Sequence, residues 1–357
     1  MAKIYLAWPR AALVFCLLLV LGLTGCRANA SSLSSTAVSP APATFIPAPT
    51  PTALPTATPS PRPTASPTAA PPTPTVTPTV TVPRPSADQI EQVVMVSIDG
   101  LRPDALAQAD TPVLEALIAA GAYSPAAQAV LPSVTLVNHA SMLSGMSPAK
   151  HGIDWNDYYP DVGYVNGPTV FNIAHEAGLS TAMVVGKPKL EHLARPGSVD
   201  TYIYAGFLDS QVVERARQVI QGGLPDLLFI HLPDVDTAGH ATGWMSVGQL
   251  LVVSRTDGLL GEVVAALEQG GYLESTLLIV TADHGGVGQA HGGDTPAEKT
   301  IPWLAVGPGV PAGVTLQSDI TVYDTAATAL YALGLPLPPE WDGRPVLEIF
   351  GRAAPEN

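Results

Sequence analysis

The chain has 357 residues and a formal net charge of −14, and 37 of its residues are proline. An acidic chain of this kind repels the phosphate backbone, so we do not expect it to wrap nucleic acid. Its two cysteines, Cys16 and Cys26, both lie near the start, which excludes a disulfide within the rest of the chain.

The first 26 residues have the pattern of a targeting segment. Lys3 and Arg10 precede an apolar run over residues 11–23, which is shorter than the roughly 20 residues that span a membrane. The run ends in Leu-Thr-Gly before Cys26, which resembles the lipobox of bacterial lipoproteins and implies a lipid-anchored cysteine. An ordinary signal peptide and an uncleaved anchor are the alternatives. All three predict that the rest of the chain lies outside the cytoplasm.

The composition then changes twice. Residues 27–86 are mostly Ser, Thr, Ala and Pro, which cannot build a core, so we predict a disordered, partly extended stalk that is a spacer, wall-bound or glycosylated. Residues 87–353 form one predicted catalytic domain. Strands are predicted over 93–98, 180–185, 226–232, 277–280 and 303–306, with helices over 104–120 and 246–269. This alternation predicts an α/β fold, with a mostly parallel central sheet and helices on both faces.

Acidic and imidazole side chains follow several of these predicted strands. They are Asp99, Asp236, His240, Asp283, His284 and His291. Asp236 and His240 stand four apart in a predicted loop, where Asp234 is a rival for the role of Asp236. Because ligands bind beyond the carboxyl ends of parallel strands, we expect these side chains to converge, and carboxylates with imidazoles suit zinc. Turn-capping aspartates and solvated histidines are the alternative.

Two further residues could act on a phosphoryl group. Thr135 lies at the predicted start of a helix, where backbone N–H groups favour anions. A threonine there is either an N-cap or, beside a metal, a nucleophile. Asn156 offers an amide donor for a phosphoryl oxygen.

Taken in order, these residues and the motifs PSVTLVNH, SGMSPAKHGI, DTAGH and DHGG resemble the type I phosphodiesterase/nucleotide pyrophosphatase family of the alkaline phosphatase superfamily. The resemblance covers residues 93–346 and implies an alkaline-phosphatase-like fold. It also implies two Zn²⁺ ions, with another divalent metal as the alternative. One ion would be held by Asp236, His240 and His291, and the other by Asp99, Asp283 and His284. Thr135 would be the nucleophile, and Asn156 with the Thr135 N–H would hold a phosphoryl oxygen.

The substrate side is less constrained by the sequence. Leu136, Trp155, Tyr158 and Tyr159 are candidate pocket walls or core residues. Lys187 and Lys189, in Gly-Lys-Pro-Lys-Leu, resemble the lysine pair that binds the substrate carboxylate in phosphonoacetate hydrolases; an exposed basic loop is the alternative.

These features predict an extracytoplasmic, membrane-anchored enzyme. It would hydrolyse small phosphate diesters or nucleotides through a phosphothreonine. The alternatives are a phosphonate or phosphomonoester hydrolase and a binding lipoprotein without turnover. A sulfatase is disfavoured, because the chain lacks the C/S-x-P-x-R motif of that branch.

Overall fold

A computed structural model describes residues 90–352. The predicted targeting segment and stalk, and the ends of the predicted catalytic domain, lie outside the described residues. The eight strands of this part are β1 Gln92–Ile98, β2 Ala122–Gln128, β3 Thr181–Val185, β4 Thr201–Tyr204, β5 Leu227–Leu232, β6 Thr276–Thr281, β7 Thr300–Val306 and β8 Val314–Thr315. They form one sheet in the order β4-β3-β5-β1-β6-β7-β2-β8.

Five neighbouring strands of this sheet, β4, β3, β5, β1 and β6, run parallel. Their central members are buried along almost their whole length, as expected for apolar strands covered on both faces. Only β7 runs antiparallel to its neighbours, β6 and β2. The predicted α/β fold with a mostly parallel sheet is confirmed.

Nine α-helices accompany the sheet within residues 90–352. They are α1 Pro112–Ala120, α2 Thr135–Ser144, α3 Pro148–His151, α4 Val170–Glu176, α5 Asp209–Gly222, α6 Asp234–Thr242, α7 Val247–Gln269, α8 Pro296–Lys299 and α9 Asp324–Ala332. Helix α7 packs against α1, α5 and α6, whereas α2 packs against α3, α4 and α9. Eight of these nine helices thus fall into two groups. None of the helices in this part of the chain is long and apolar enough to cross a membrane.

Two predictions of local structure were wrong. The helix predicted over 104–120 is a short 3₁₀ turn at Pro103–Ala105, followed by a separate helix that begins at Pro112. Proline has no N–H to donate and disfavours helical geometry in the residue before it, so α1 starts there. The loop predicted after residue 232 is helix α6, despite its glycine and threonines.

Candidate active site

The candidate site lies at the carboxyl ends of the central parallel strands. Asp99 follows β1 and Asp283 follows the neighbouring β6, and the Gly100 N–H donates to Asp283 Oδ1 at 3.1 Å. Gly100 has a φ of +75°, and a Cβ there would lie 3.0 Å from the Asp236 Cα. A glycine therefore lets the end of β1 approach α6 closely.

One group of possible ligands is formed by Asp236, His240 and His291. The first two lie one turn apart on α6, so their side chains share a face of the helix. The Asp236 Oδ1 atom lies 3.4 Å from His240 Nε2 and 3.5 Å from His291 Nε2. The rival Asp234 lies 3.9 Å from the Arg255 guanidinium, and its N–H donates to Asp209, so it is not part of this group.

A second group joins Asp99, Asp283 and His284. His284 Nε2 lies 3.4 Å from Asp99 Oδ1 and 3.3 Å from Asp283 Oδ2. Asp99 and His284 also offer atoms within 4.8 Å of Asp236, so Asp236 stands between the two groups. All three members of the second group are completely buried.

The separations between these atoms fit a bound cation. Ligands on a tetrahedral zinc ion, with bonds of about 2.0–2.1 Å, lie roughly 3.3–3.4 Å from one another. Asp99 Oδ1, Asp236 Oδ1 and Asp283 Oδ2 are buried and have no hydrogen-bond partner among the described residues. Buried carboxylate oxygens are costly to leave unpaired, so the two groups are candidate divalent-metal sites.

The imidazole rings are oriented toward the same space. The Nδ1 atoms of His240, His284 and His291 lie 3.0, 2.8 and 2.9 Å from the backbone carbonyls of Gln289, Gly285 and Ser133. A carbonyl can only accept, so each Nδ1 carries the proton and each Nε2 presents its lone pair to the carboxylates.

Burial favours the neutral form in two of these rings. It lowers the pKa of His284, and it lowers the pKa of His291 to about 4. The nearby Asp236 carboxylate, 3.4 Å away, instead raises the pKa of His240, which is partly exposed. Metal binding requires the neutral ring, which burial already favours at the first two positions.

The pKa values of the two buried carboxylates of the second group are shifted in opposite directions. Burial opposes ionisation of Asp99, but the charge of Lys187 and the hydrogen bond from His231 outweigh it and hold the pKa of Asp99 well below its ordinary value. Burial, followed by the charge of Asp99, raises the pKa of Asp283 to about 7. A cation would relieve the repulsion between them.

The predicted nucleophile lies beside this cluster. Thr135 is the first residue of α2 and is 1% exposed, and its Oγ1 atom lies 3.5 Å from His284 Nε2. Asn156 Oδ1 accepts from the Leu136 N–H at 2.9 Å and from Lys189 Nζ at 3.0 Å. Because both donors hold the amide oxygen, the amide nitrogen of Asn156 is left to donate to a ligand.

The lysines also belong to the site. Lys187 Nζ lies 2.7 Å from Asp99 Oδ2 and 2.6 Å from Asp236 Oδ2, and its side chain is 13% exposed. Lys189 donates to both oxygens of Asn156. The alternative of an exposed basic loop was therefore wrong, because buried carboxylates draw Lys187 inward.

Two predicted substrate-binding residues do not have the expected environment. Leu136 is completely buried in the core, so its side chain cannot line a pocket, and only its N–H faces Asn156. Tyr158 is 38% exposed, and its hydroxyl donates to Glu191 while its ring lies against His192. Its role in substrate binding stays a prediction.

Three residues that support the site were not predicted from the sequence. His231 Nε2 donates to Asp99 Oδ2 at 2.8 Å, and His139 Nδ1 donates to the Thr135 carbonyl at 2.8 Å. Trp244 donates to the Gly100 carbonyl at 2.9 Å and packs against His240 and His291. The only signal for His231 was an imidazole inside an otherwise apolar strand, and His139 lies in a helix of mixed polarity that gave no signal.

The chain is similar in sequence to known proteins. The model of the type I phosphodiesterase/nucleotide pyrophosphatase family matches residues 93–295, more than half of the chain. An uncharacterized pyrophosphatase/phosphodiesterase of Schizosaccharomyces pombe is 27% identical over 218 residues, which are 54% of this chain and 44% of that protein. The chain thus spans less than half the length of this relative.

Solved structures agree on the fold. Murine ectonucleotide pyrophosphatase/phosphodiesterase 5, an inactive Thr-to-Ala variant in complex with AMP, superposes with a TM-score of 0.60 at 17% identity, over 70% of this chain and 96% of that one. A phosphonate monoester hydrolase from Silicibacter pomeroyi gives a TM-score of 0.58 at 17% identity, over 74% and 78%. The family resemblance is confirmed. The chain belongs to the type I phosphodiesterase/nucleotide pyrophosphatase family.

Proposed function

We propose that the protein is a divalent-metal-dependent phosphodiesterase/nucleotide pyrophosphatase with Thr135 as its nucleophile. One observation carries the proposal: the buried Thr135 hydroxyl, at the start of α2, lies within 3.5 Å of an imidazole that contacts two buried carboxylates with unpartnered oxygens. If Thr135 served only to begin the helix, nothing would explain the three buried carboxylate oxygens of this site that lack a hydrogen-bond partner.

The metal ligands follow from the two groups of side chains. Asp236, His240 and His291 would hold one ion, and Asp99, Asp283 and His284 would hold the other, with zinc as the expected metal. When bound, the metals would supply positive charge that lowers the pKa of the nucleophile and offsets the charge on the leaving oxygen.

The reaction would take two displacements at phosphorus. In the first, the Thr135 hydroxyl releases its proton to solvent and its oxygen bonds to phosphorus, while the bond to the leaving alcohol breaks and that oxygen takes up a proton. In the second, water attacks the phosphothreonine, releases a phosphate monoester and a proton, and returns Thr135 to its hydroxyl form. The net reaction is hydrolysis of a diester to a monoester and an alcohol.

The phosphoryl oxygens would be held by the chain's own donors. The Asn156 amide nitrogen and the Thr135 N–H, one of the unpaired N–H groups at the start of α2, would stabilise charge as it develops. A neutral amide matches the single negative charge of a diester better than the double charge of a monoester. A nucleotide substrate is supported by the murine relative that was solved with AMP.

The test compares two chromogenic esters. Bis-p-nitrophenyl phosphate should be hydrolysed faster than p-nitrophenyl phosphate, and a strong preference for the monoester would defeat the diester assignment. Thr135→Ala should lose turnover by a factor on the order of 10³ or more while keeping its metal content, because the nucleophile is absent and the ligands are not. Thr135→Ala with near wild-type turnover would refute the phosphothreonine.

A second candidate, phosphonate hydrolysis, is favoured by the position of Lys189. Two of the three N–H groups of its ammonium donate to Asn156. The third is left to donate to a substrate carboxylate beside the proposed phosphoryl site. Inorganic phosphate released from phosphonoacetate by the wild type, and not by Lys189→Ala, would support this substrate.

We also propose that the enzyme acts outside the cytoplasm, anchored by a lipid on Cys26. The support comes from the lipobox-like sequence alone. The full chain should partition with membranes, and Cys26→Ser should become soluble or retain its leader. Because a retained leader would itself hold Cys26→Ser at the membrane, the deciding readout is the lipid: fatty-acid labelling of the protein that Cys26→Ser does not abolish would contradict the lipid anchor.

A further inference from the structure

The ammonium group of Lys187 lies at the centre of the candidate site. It contacts three oxygens: Asp99 Oδ2 at 2.7 Å, Asp236 Oδ2 at 2.6 Å and Thr135 Oγ1 at 3.4 Å. A lysine ammonium has three N–H donors, so none remains for a substrate carboxylate. Lys187 therefore differs from Lys189, which keeps one donor.

The oxygens that Lys187 uses are not those that remain unpartnered. It binds the Oδ2 atoms of Asp99 and Asp236, whereas the Oδ1 atoms of both residues are buried and unpaired. The Oδ1 atoms are also the ones that lie 3.4–3.5 Å from the imidazole nitrogens. The ammonium and the metal ions would therefore bind opposite oxygens of the same two carboxylates.

We propose that Lys187 is a third, built-in cation of the reaction centre, which fixes the two metal-binding carboxylates and directs positive charge at the Thr135 oxygen. The proposal rests on the phosphodiesterase function above and adds a residue to it. A fixed positive charge beside Thr135 would favour the alkoxide and the attacking geometry, in addition to what the metals supply.

Lys187 pairs with two buried carboxylates, at 2.7 Å from Asp99 Oδ2 and 2.6 Å from Asp236 Oδ2. The segment that carries it is also well anchored, since the Gly186 N–H donates to His231 Nδ1 and His231 in turn donates to Asp99.

The kinetic test uses Lys187→Met, which keeps the length of the side chain and removes its charge. We expect kcat on bis-p-nitrophenyl phosphate to fall by about 10- to 100-fold, the scale of a lost charge-assisted contact, with KM nearly unchanged. Lys150→Met is the matched control. Lys150, on α3, forms a half-exposed ion pair with Asp342, so this variant should keep the wild-type kcat.

A substrate-free measurement separates this proposal from the function on which it rests. In a zinc titration of the protein after chelation, Lys187→Met should bind zinc no more tightly than the wild type, because Asp99 and Asp236 each lose a donor that holds them in place. Zinc affinity that rises tenfold or more would show that the ammonium merely fills an empty metal site, and would overturn the proposal. If the wild type binds zinc but hydrolyses no phosphate ester, the proposed function fails instead.

A crystal structure of the zinc-loaded wild type covers the case in which Lys187→Met does not fold. Lys187 Nζ should remain within hydrogen-bonding distance of Asp99 Oδ2 and Asp236 Oδ2. A Lys187 side chain displaced into solvent, or a raised KM for phosphonoacetate with unchanged kcat in Lys187→Met, would contradict the third-cation role.

Discussion

Buried aspartates occur in two regions of this protein, and they are partnered differently. At the carboxyl ends of β1 and β6, Asp99 and Asp283 each keep one buried oxygen without a partner. In the helical layer, Asp257 on α7 accepts from the Val113 N–H at 3.0 Å and the Leu114 N–H at 2.8 Å. Both oxygens of Asp257 are therefore used to cap α1.

Asp324 at the start of α9 repeats the second pattern. Its two oxygens accept from the Thr321 and Arg344 N–H groups at 2.7 Å each. Carboxylates whose two oxygens are both hydrogen-bonded stabilise the fold. Carboxylates with a buried oxygen that lacks a hydrogen-bond partner are candidates for binding a metal ion. Removing the first kind should cost stability, and removing the second kind should cost metal binding and turnover.

The largest effect is expected for Asp236, which stands between the two groups of ligands. Asp236→Ala should lose metal and lower kcat/KM by a factor on the order of 10³, the scale of losing a transition-state charge partner. Metal analysis and diester hydrolysis measure this directly. An active Asp236→Ala enzyme with full metal content would show that the unpaired carboxylates of the site are not needed for metal binding or turnover.

Chelation should destabilise the wild type. A ligand present at 100 times its dissociation constant stabilises the folded state by about 2.7 kcal/mol, and this is lost when the metal is removed. Thermal unfolding with and without zinc measures the shift. Asp257→Ala should show the same zinc-dependent shift as the wild type, whereas Asp236→Ala should show a smaller one.

Removing a residue that contacts a metal-binding side chain, but not the metal itself, should have an intermediate effect on zinc affinity. His231→Leu removes the donor to Asp99 Oδ2, and we expect zinc affinity to fall by about 10- to 100-fold, as for other partners of metal ligands. A zinc titration checks this. An unchanged zinc affinity would mean that the hydrogen bond from His231, on β5, does not help Asp99 to bind zinc.

The smallest effect on catalysis is expected from substitution of Asp257. Asp257→Ala should lower the free energy of unfolding by about 1–2 kcal/mol, because two N–H groups at the start of α1 lose their acceptor. Denaturant unfolding measures the loss, and kcat per folded molecule should not change. A parallel loss of zinc would show that the two regions are coupled.

The strand ends were predictable from the sequence, and this accounts for most of the site. Asp99 and Asp283 follow apolar runs, and β1 pairs with β6 in parallel, so residues after both runs meet at one edge. His291 is harder to place, because its position depends on the path of a glycine-rich loop. Its closeness in sequence to Asp283 and His284 made it a candidate ligand, and the family resemblance assigned it to the group of Asp236 and His240.

The inward turn of Lys187 and the supporting histidines could not be derived in this way. Lys187 follows β3, whose pairing with β5 brings it over Asp236, and that pairing depends on strand order. His231 lies in an apolar strand and His139 in a helix of mixed polarity, and neither pattern distinguishes a histidine that supports the site from any other buried histidine. Local sequence contains no information on which strands become neighbours.

The central claim is that six acidic and imidazole side chains hold divalent metal beside Thr135. Anomalous diffraction at the zinc absorption edge, from crystals of the Thr135→Ala protein grown with zinc, tests it most directly. We expect one peak between Asp236, His240 and His291 and another between Asp99, Asp283 and His284. A map with no peak at either group would contradict the account.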